Sequence, residues 1–188
     1  MGLDRAEVTR TIEAMLAVVP AAEFRLVGTA SCVLRGVEMQ ATDVDVLFRE
    51  RAPIDGWVTS LGDVANVSEG PGWLEETSQY FARLDADGVI VELSTVEIEA
   101  DTDTDECVGP GPWVHFDVVT CGKFSVPTVA LELRLVTEVA RQRNDRAEPI
   151  AAYFRSHPCD VALVKRGLEA SFTPNDEIAA LIASFSVA

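Results

Sequence analysis

Apolar positions between Asp4 and Val19 (Val8, Ile12, Met15, Leu16, Val19) recur at helical spacing, and Pro20 stops the run. Glu23 to Val27 then reads as a short strand, broken by Gly28. Thr29 to Val37 has the composition of a helix entered from a glycine turn, and Thr42 to Phe48 alternates as a strand does. Pro53 to Leu61 predicts a helix, and Asn66 to Gly72, rich in Gly, Pro and Ser, a loop. Gln79 to Leu84 and Val89 to Thr95 are β-rich runs around Asp85-Ala-Asp-Gly88, which signals a hairpin turn. Glu99 to Pro112 is acidic and rich in Gly and Pro, hence an exposed loop, and Trp113 to Val119 returns to strand composition. From Thr128 the pattern is helical over Val129 to Arg143, Asp145 to Arg155, Val161 to Ala170 and Asn175 to Ser184. Pro149, Pro158 and Pro174 fall near the expected helix starts. The pattern predicts an α/β front part, residues 1–127, joined near Pro127 to an all-helical tail, residues 128–188.

Composition narrows the function classes. A hydrophobic share of 48% with 24% charged residues is that of a globular chain, and no apolar run is long enough to cross a bilayer. The opening MGLDRAEVTR mixes acids and bases before any apolar stretch, unlike a secretory signal, so a cytoplasmic location is expected. The net charge of −16 repels phosphate backbones and disfavours nucleic acid as the main partner. Cys32, Cys107, Cys121 and Cys159 are scattered, without zinc-ligand spacing, and are expected to be reduced thiols.

The informative segment is Leu26 to Phe48, LVGTASCVLRGVEMQATDVDVLF. Side chains alternate along a strand, so Asp43 and Asp45 project from one face, roughly 6–7 Å apart along the chain, while Val44, Val46 and Phe48 enter the core. Two carboxylates aimed together repel unless a cation sits between them, and magnesium prefers such hard oxygen donors. Gly28 lets backbone approach a phosphate closely. Thr29 and Ser31 offer hydroxyls, and the helix that starts there supplies free N–H groups. Each feature has a plainer reading: solvent-facing strand acids, and a Thr or Ser that only caps a helix.

A hydrophobic residue, Gly28-Thr29, a spacer and then Asp43-Val44-Asp45 between apolar residues together resemble the signature of the polymerase-β-like nucleotidyltransferases, closest to the minimal, antibiotic-resistance-type and toxin–antitoxin branches. The resemblance implies an α+β fold, a mixed β-sheet flanked by helices with a C-terminal helical region. It also implies NTP as substrate, two Mg²⁺ ions, and a third carboxylate on a later strand. Glu92, mid-strand in Gly88-Val-Ile-Val-Glu-Leu-Ser, is the best candidate, with Asp87 and Glu97 as further contenders. A phosphate-binding cation on a downstream helix would have to be Arg134, Arg141 or Arg143, since that run has no Lys.

The expectation is therefore an enzyme that moves a nucleoside monophosphate from NTP to a hydroxyl acceptor, a small molecule or a protein, with release of pyrophosphate. Asp43, Asp45 and Glu92 would be catalytic and bind metal; Gly28, Thr29 and Ser31 would bind nucleotide. The alternatives are a toxin–antitoxin component with a partner protein, or a non-catalytic nucleotide-binding protein; a homodimer is also open. Asp101 to Glu106 has acids at calcium-loop spacing but lacks the loop's sixth-position Gly, so it reads as a solvated acidic loop. His115 and His157 have no nucleophile partner, and Trp57 and Trp73 are assigned to the core by default.

Overall fold

A computed structural model describes residues 2–75, 77–106 and 113–185; Cys107 and the end of the acidic loop at Pro112 lie outside the described residues. The elements run α1 (Arg5–Leu16), β1 (Phe24–Val27), α2 (Gly28–Arg35), β2 (Val44–Phe48), α3 (Ala52–Leu61), β3 (Asn66–Trp73), β4 (Gln79–Ala86) and β5 (Val89–Val96). They continue as β6 (Phe116–Cys121), β7 (Phe124–Val129), α4 (Leu131–Ala140), α5 (Asn144–Phe154), α6 (Val161–Ala170) and α7 (Asn175–Phe185). The α+β fold expected from the sequence is observed.

One mixed sheet of seven strands, ordered β3-β4-β5-β2-β1-β7-β6, organises the molecule. β2 runs antiparallel to β1 and parallel to β5, and β7 runs parallel to β1. The apolar alternation of the central strands puts Val44, Val46, Phe48, Val91, Leu93, Ala82 and Leu84 on one face, in a core covered by α1, α2 and α3. Trp57 lies at the centre of that core, packed edge-on against Phe24 and Phe48, with its indole N–H donated to the Pro20 carbonyl at 3.0 Å. A second core joins α4 to α7 and takes in Cys32 and Val37. Helix α2 serves both cores, which is why every residue from Gly28 to Leu34 is buried and the helix is built from small and apolar residues. A capping box at Asp4 and Glu7 closes the start of α1.

Four local expectations change. Asn66 to Gly72, read as a loop, forms β3, whose register shifts twice between Val67 and Gly72. Only one side of an edge strand must pair, so it tolerates Gly70, Pro71 and bulges that an interior strand would not. Trp73 sits on that edge, 47% exposed, instead of in the core. A strand, β7, occupies Phe124–Val129, where the pattern showed only a junction; Pro127 lies within it opposite Val118. Pro149 is inside α5, not at its start.

Candidate active site

The Gly28 turn and the strand acids meet because β1 and β2 are antiparallel neighbours: Val27, the last residue before the turn, pairs with Asp45. Gly28 has φ +64, in the left-handed region. A Cβ added there would overlap Asp45 Oδ2 and lie 3.0 Å from its Cγ, so the carboxylate rests directly on the glycine backbone. The unusual conformation falls on Gly28 alone. Thr29 is not among the positive-φ residues, and its β-branched side chain sits in ordinary helix. Val27 caps α2 without a side-chain hydrogen bond, which leaves the first N–H groups of the helix for another acceptor. Ser31 is fully buried and donates its hydroxyl to the Gly28 carbonyl at 2.8 Å, bracing the turn.

Asp45 also pairs in register with Glu92 on β5, so the two acids are cross-strand neighbours on one face. Asp43 immediately precedes β2, two positions before Asp45. Burial first, then the charges of Asp43 and Glu92, push the Asp45 carboxyl up to about 7. Both aspartates are half-buried, and no described group donates a hydrogen bond to either. A half-buried carboxylate without a donor, faced by two like charges, is stabilised by a bound cation. The donor set, carboxylates on β2 and β5 and one immediately before β2, is of the kind a hard divalent ion such as magnesium prefers. Glu92 is turned toward Arg83, however, and among the described residues no three acids, histidines or cysteines stand together closely enough to hold an ion.

The register continues across the sheet. Glu69 on β3 pairs with Arg83 on β4, and Arg83 with Glu92, so Glu69, Arg83, Glu92 and Asp45 form one row across four strands. Asp87 closes the two-residue hairpin turn at φ +53, beyond the end of that row, and Glu97 pairs with Arg51 at 3.3 Å. Neither contender for the third acid belongs to the row.

The three arginines considered for a phosphate divide. Arg134 is 3% exposed and bonds Glu106 at 2.7 Å and Glu138 at 2.6 Å. Arg143 lies 4.0 Å from Glu138, and Arg141 is exposed. Glu106 belongs to the segment read as a solvated loop, yet its side chain is 1% exposed; nothing in the sequence marks it. Asp103 of the same segment pairs with His115 at 2.7 Å and with Arg166 at 3.2 Å. The acidic stretch is thus pinned to the helical part by specific ion pairs. Removing Arg134 strands two buried carboxylates, so Arg134→Met is expected to lose about 3–5 kcal/mol in urea unfolding. Glu138→Gln added to it should recover part of that loss; no recovery would assign the effect to packing.

A groove of about 1030 Å³ between α5 and α7, lined by Tyr153, Glu177 and Leu181 among others, includes none of the acid row. The acids lie instead on the sheet face whose neighbouring part, at Val27, Leu47 and Val129, is covered by Leu133 of α4 and Leu163 of α6.

No family model and no curated relative matches the chain. Solved structures do. A candidate nucleotidyltransferase from Thermotoga maritima superposes with a TM-score of 0.59 at 16% identity, covering 83% of this chain and 98% of that one. An antigenic nucleotidyltransferase-like protein from Paracoccidioides brasiliensis superposes with a TM-score of 0.50 at 12% identity, over 100% of this chain and 97% of that one. With the antiparallel β1–β2 pair, the glycine turn and the parallel β5 in place, the chain has the nucleotidyltransferase fold.

Proposed function

We propose that the protein is a magnesium-dependent nucleotidyltransferase that moves a nucleoside monophosphate from an NTP to an acceptor hydroxyl and releases pyrophosphate. The observation that carries this reading is the Asp45 carboxylate, half-buried, without a hydrogen-bond donor, and seated on Gly28 at the start of α2. Asp43 and Asp45 would hold two ions and Glu92 one of them. Magnesium bound there would activate the acceptor hydroxyl and stabilise the departing pyrophosphate. Gly28 and Thr29 present backbone N–H groups at a helix N-terminus, where anionic phosphate is favoured, and Ser31 keeps that turn in shape. Residues 1–127 would supply this chemistry. The helical region, 128–188, would border the acceptor side, either for a small molecule or for a protein.

The chain's charge of −16 suits a cationic acceptor and disfavours nucleic acid. No helix among the described residues is long and apolar enough to cross a membrane; the reading places the enzyme in the cytoplasm. One observation favours a second reading, a nucleotide-binding protein without catalysis, with or without a partner protein: Arg134 is engaged by two glutamates and so is not set out for a phosphate.

Incubation with α-labelled NTPs, Mg²⁺ and a panel of cationic and neutral hydroxyl acceptors distinguishes the two. Transfer of label with pyrophosphate release, absent in Asp45→Asn, is the expected result. Tight Mg²⁺-dependent NTP binding with no transfer to any acceptor supports the second reading, and no binding at all ends both.

A further inference from the structure

We propose that Arg83 is a built-in counter-cation that holds Glu92 off the metal position, so that an incoming divalent ion must displace it. The proposal rests on the metal-dependent reading above. Arg83 donates from Nε at 3.0 Å and from Nη2 at 2.7 Å, both to Oε1 of Glu92. The two residues are direct cross-strand partners, so the contact follows from the hairpin register and not from a chance meeting of long side chains. The remaining amino group, Nη1, lies 3.9 Å from Glu69 Oε2, the next residue in the row.

Charge explains what the pairing does. Asp43, Asp45 and Glu92 set three carboxyl groups on one patch of sheet, with Asp45 directly across from Glu92. Arg83 neutralises one of the three from the side away from Asp45. While Glu92 is held there, the three acids do not converge on a common point. For Glu92 to join the aspartates, its carboxylate must leave the guanidinium. The Arg83 side chain is 44% exposed and lies over the Phe81 ring at 5.2 Å, so it can turn to Glu69 without unpacking the core. Arg83 is thus a positioning residue for the third ligand. Its presence lowers metal affinity and couples loading of the site to a side-chain exchange along the row.

The test is calorimetric titration of Mn²⁺ and Mg²⁺ into the full chain, without nucleotide, for the wild type, Arg83→Gln, Arg83→Lys, Arg51→Gln and Asp45→Asn. Arg83→Gln is expected to bind either ion about three- to fivefold more tightly, the size an exposed ion pair supports. Arg83→Lys, which keeps the charge but loses the fork, should show a smaller rise. Arg51→Gln removes the same charge from a pair with Glu97 outside the row and should change nothing. Unchanged or weaker binding in Arg83→Gln overturns the proposal, because a purely structural sheet pair would alter stability and leave affinity alone. An equal rise in Arg51→Gln overturns it as well, by assigning the effect to overall charge. If Arg83→Gln does not fold, absence of any rise in Arg83→Lys decides against it. The metal-dependent reading fails separately: the wild type would bind no ion, or Asp45→Asn would bind as the wild type does.

Discussion

Asp45→Asn is expected to abolish metal-dependent transfer while making the metal-free protein more stable at alkaline pH. Burial, and then the charges of Asp43 and Glu92, raise the Asp45 carboxyl from 3.8 to about 7. A raised carboxyl binds its proton more tightly in the folded chain than in the unfolded one. Its contribution to stability is therefore complete below about pH 3.8 and is lost as the pH climbs through about 7. At pH 8 the metal-free protein carries nearly the whole cost, on the order of 4 kcal/mol for a shift of this size. Asparagine keeps the shape and removes the charge. A gain of about 2 kcal/mol at pH 8, or roughly 4–8 °C in Tm for a chain of this length, is expected to vanish by pH 4.

Saturating Mg²⁺ should raise the Tm of the wild type and leave the variant unmoved. Below pH 7 the wild type's metal affinity should fall about tenfold per unit, because the ion must displace a proton. Transfer activity should drop by about 10³-fold or more, the scale of losing transition-state charge stabilisation. Thermal unfolding at pH 4 and 8, with and without Mg²⁺, checks the stability differences, metal titration between pH 5 and 7 the affinity, and labelled-NTP transfer the activity. An equal stability difference at both pH values would mean that the surroundings of Asp45 do not disfavour its charge.

Gly28→Ala should damage both the stability of the chain and the proposed metal site. Two costs coincide there. Left-handed backbone costs an L-residue about 1–2 kcal/mol, and the new methyl would overlap Asp45 Oδ2. The carboxylate must then move, and with it the geometry of the proposed metal site. A loss of about 2–4 kcal/mol, with at least a tenfold loss of Mn²⁺ affinity, is expected from urea titration and calorimetry. Gly36→Ala provides the control. Gly36 has φ +91 but nothing within 4 Å of an added Cβ, so only the backbone cost applies and metal binding should be retained. If the two variants behave alike, the packing of Asp45 on the Gly28 backbone is not what holds the site together.

Much of this was legible along the chain because it depends on local periodicity. The alternation of Thr42 to Phe48 sent Val44, Val46 and Phe48 inward and left Asp45 on the other face, as observed. The Asp85–Gly88 signal located the hairpin, and its two-residue loop places Arg83 opposite Glu92. That pairing follows from counting outward from the turn, Ala86 with Val89 and so on to Arg83 with Glu92. The strand β3 was hidden by Gly70, Pro71 and Gly72, which local propensity assigns to a loop and an edge position permits.

By itself, then, the sequence determined the glycine turn, the strand that carries Asp45 (Asp43 falls in the bend just before it), the helices and the acid that stands mid-strand in Val89–Val96, since spacing and turn chemistry act within a few residues. Only the tertiary structure decided that β2 lies between β1 and β5, which sets Asp45 against both Gly28 and Glu92. It also decided that Glu106 is buried with Arg134 and that Arg83 holds Glu92. Strand order and long-range ion pairs join residues far apart in the chain, and their energies depend on burial and mutual distance, quantities that exist only once the sheet has formed.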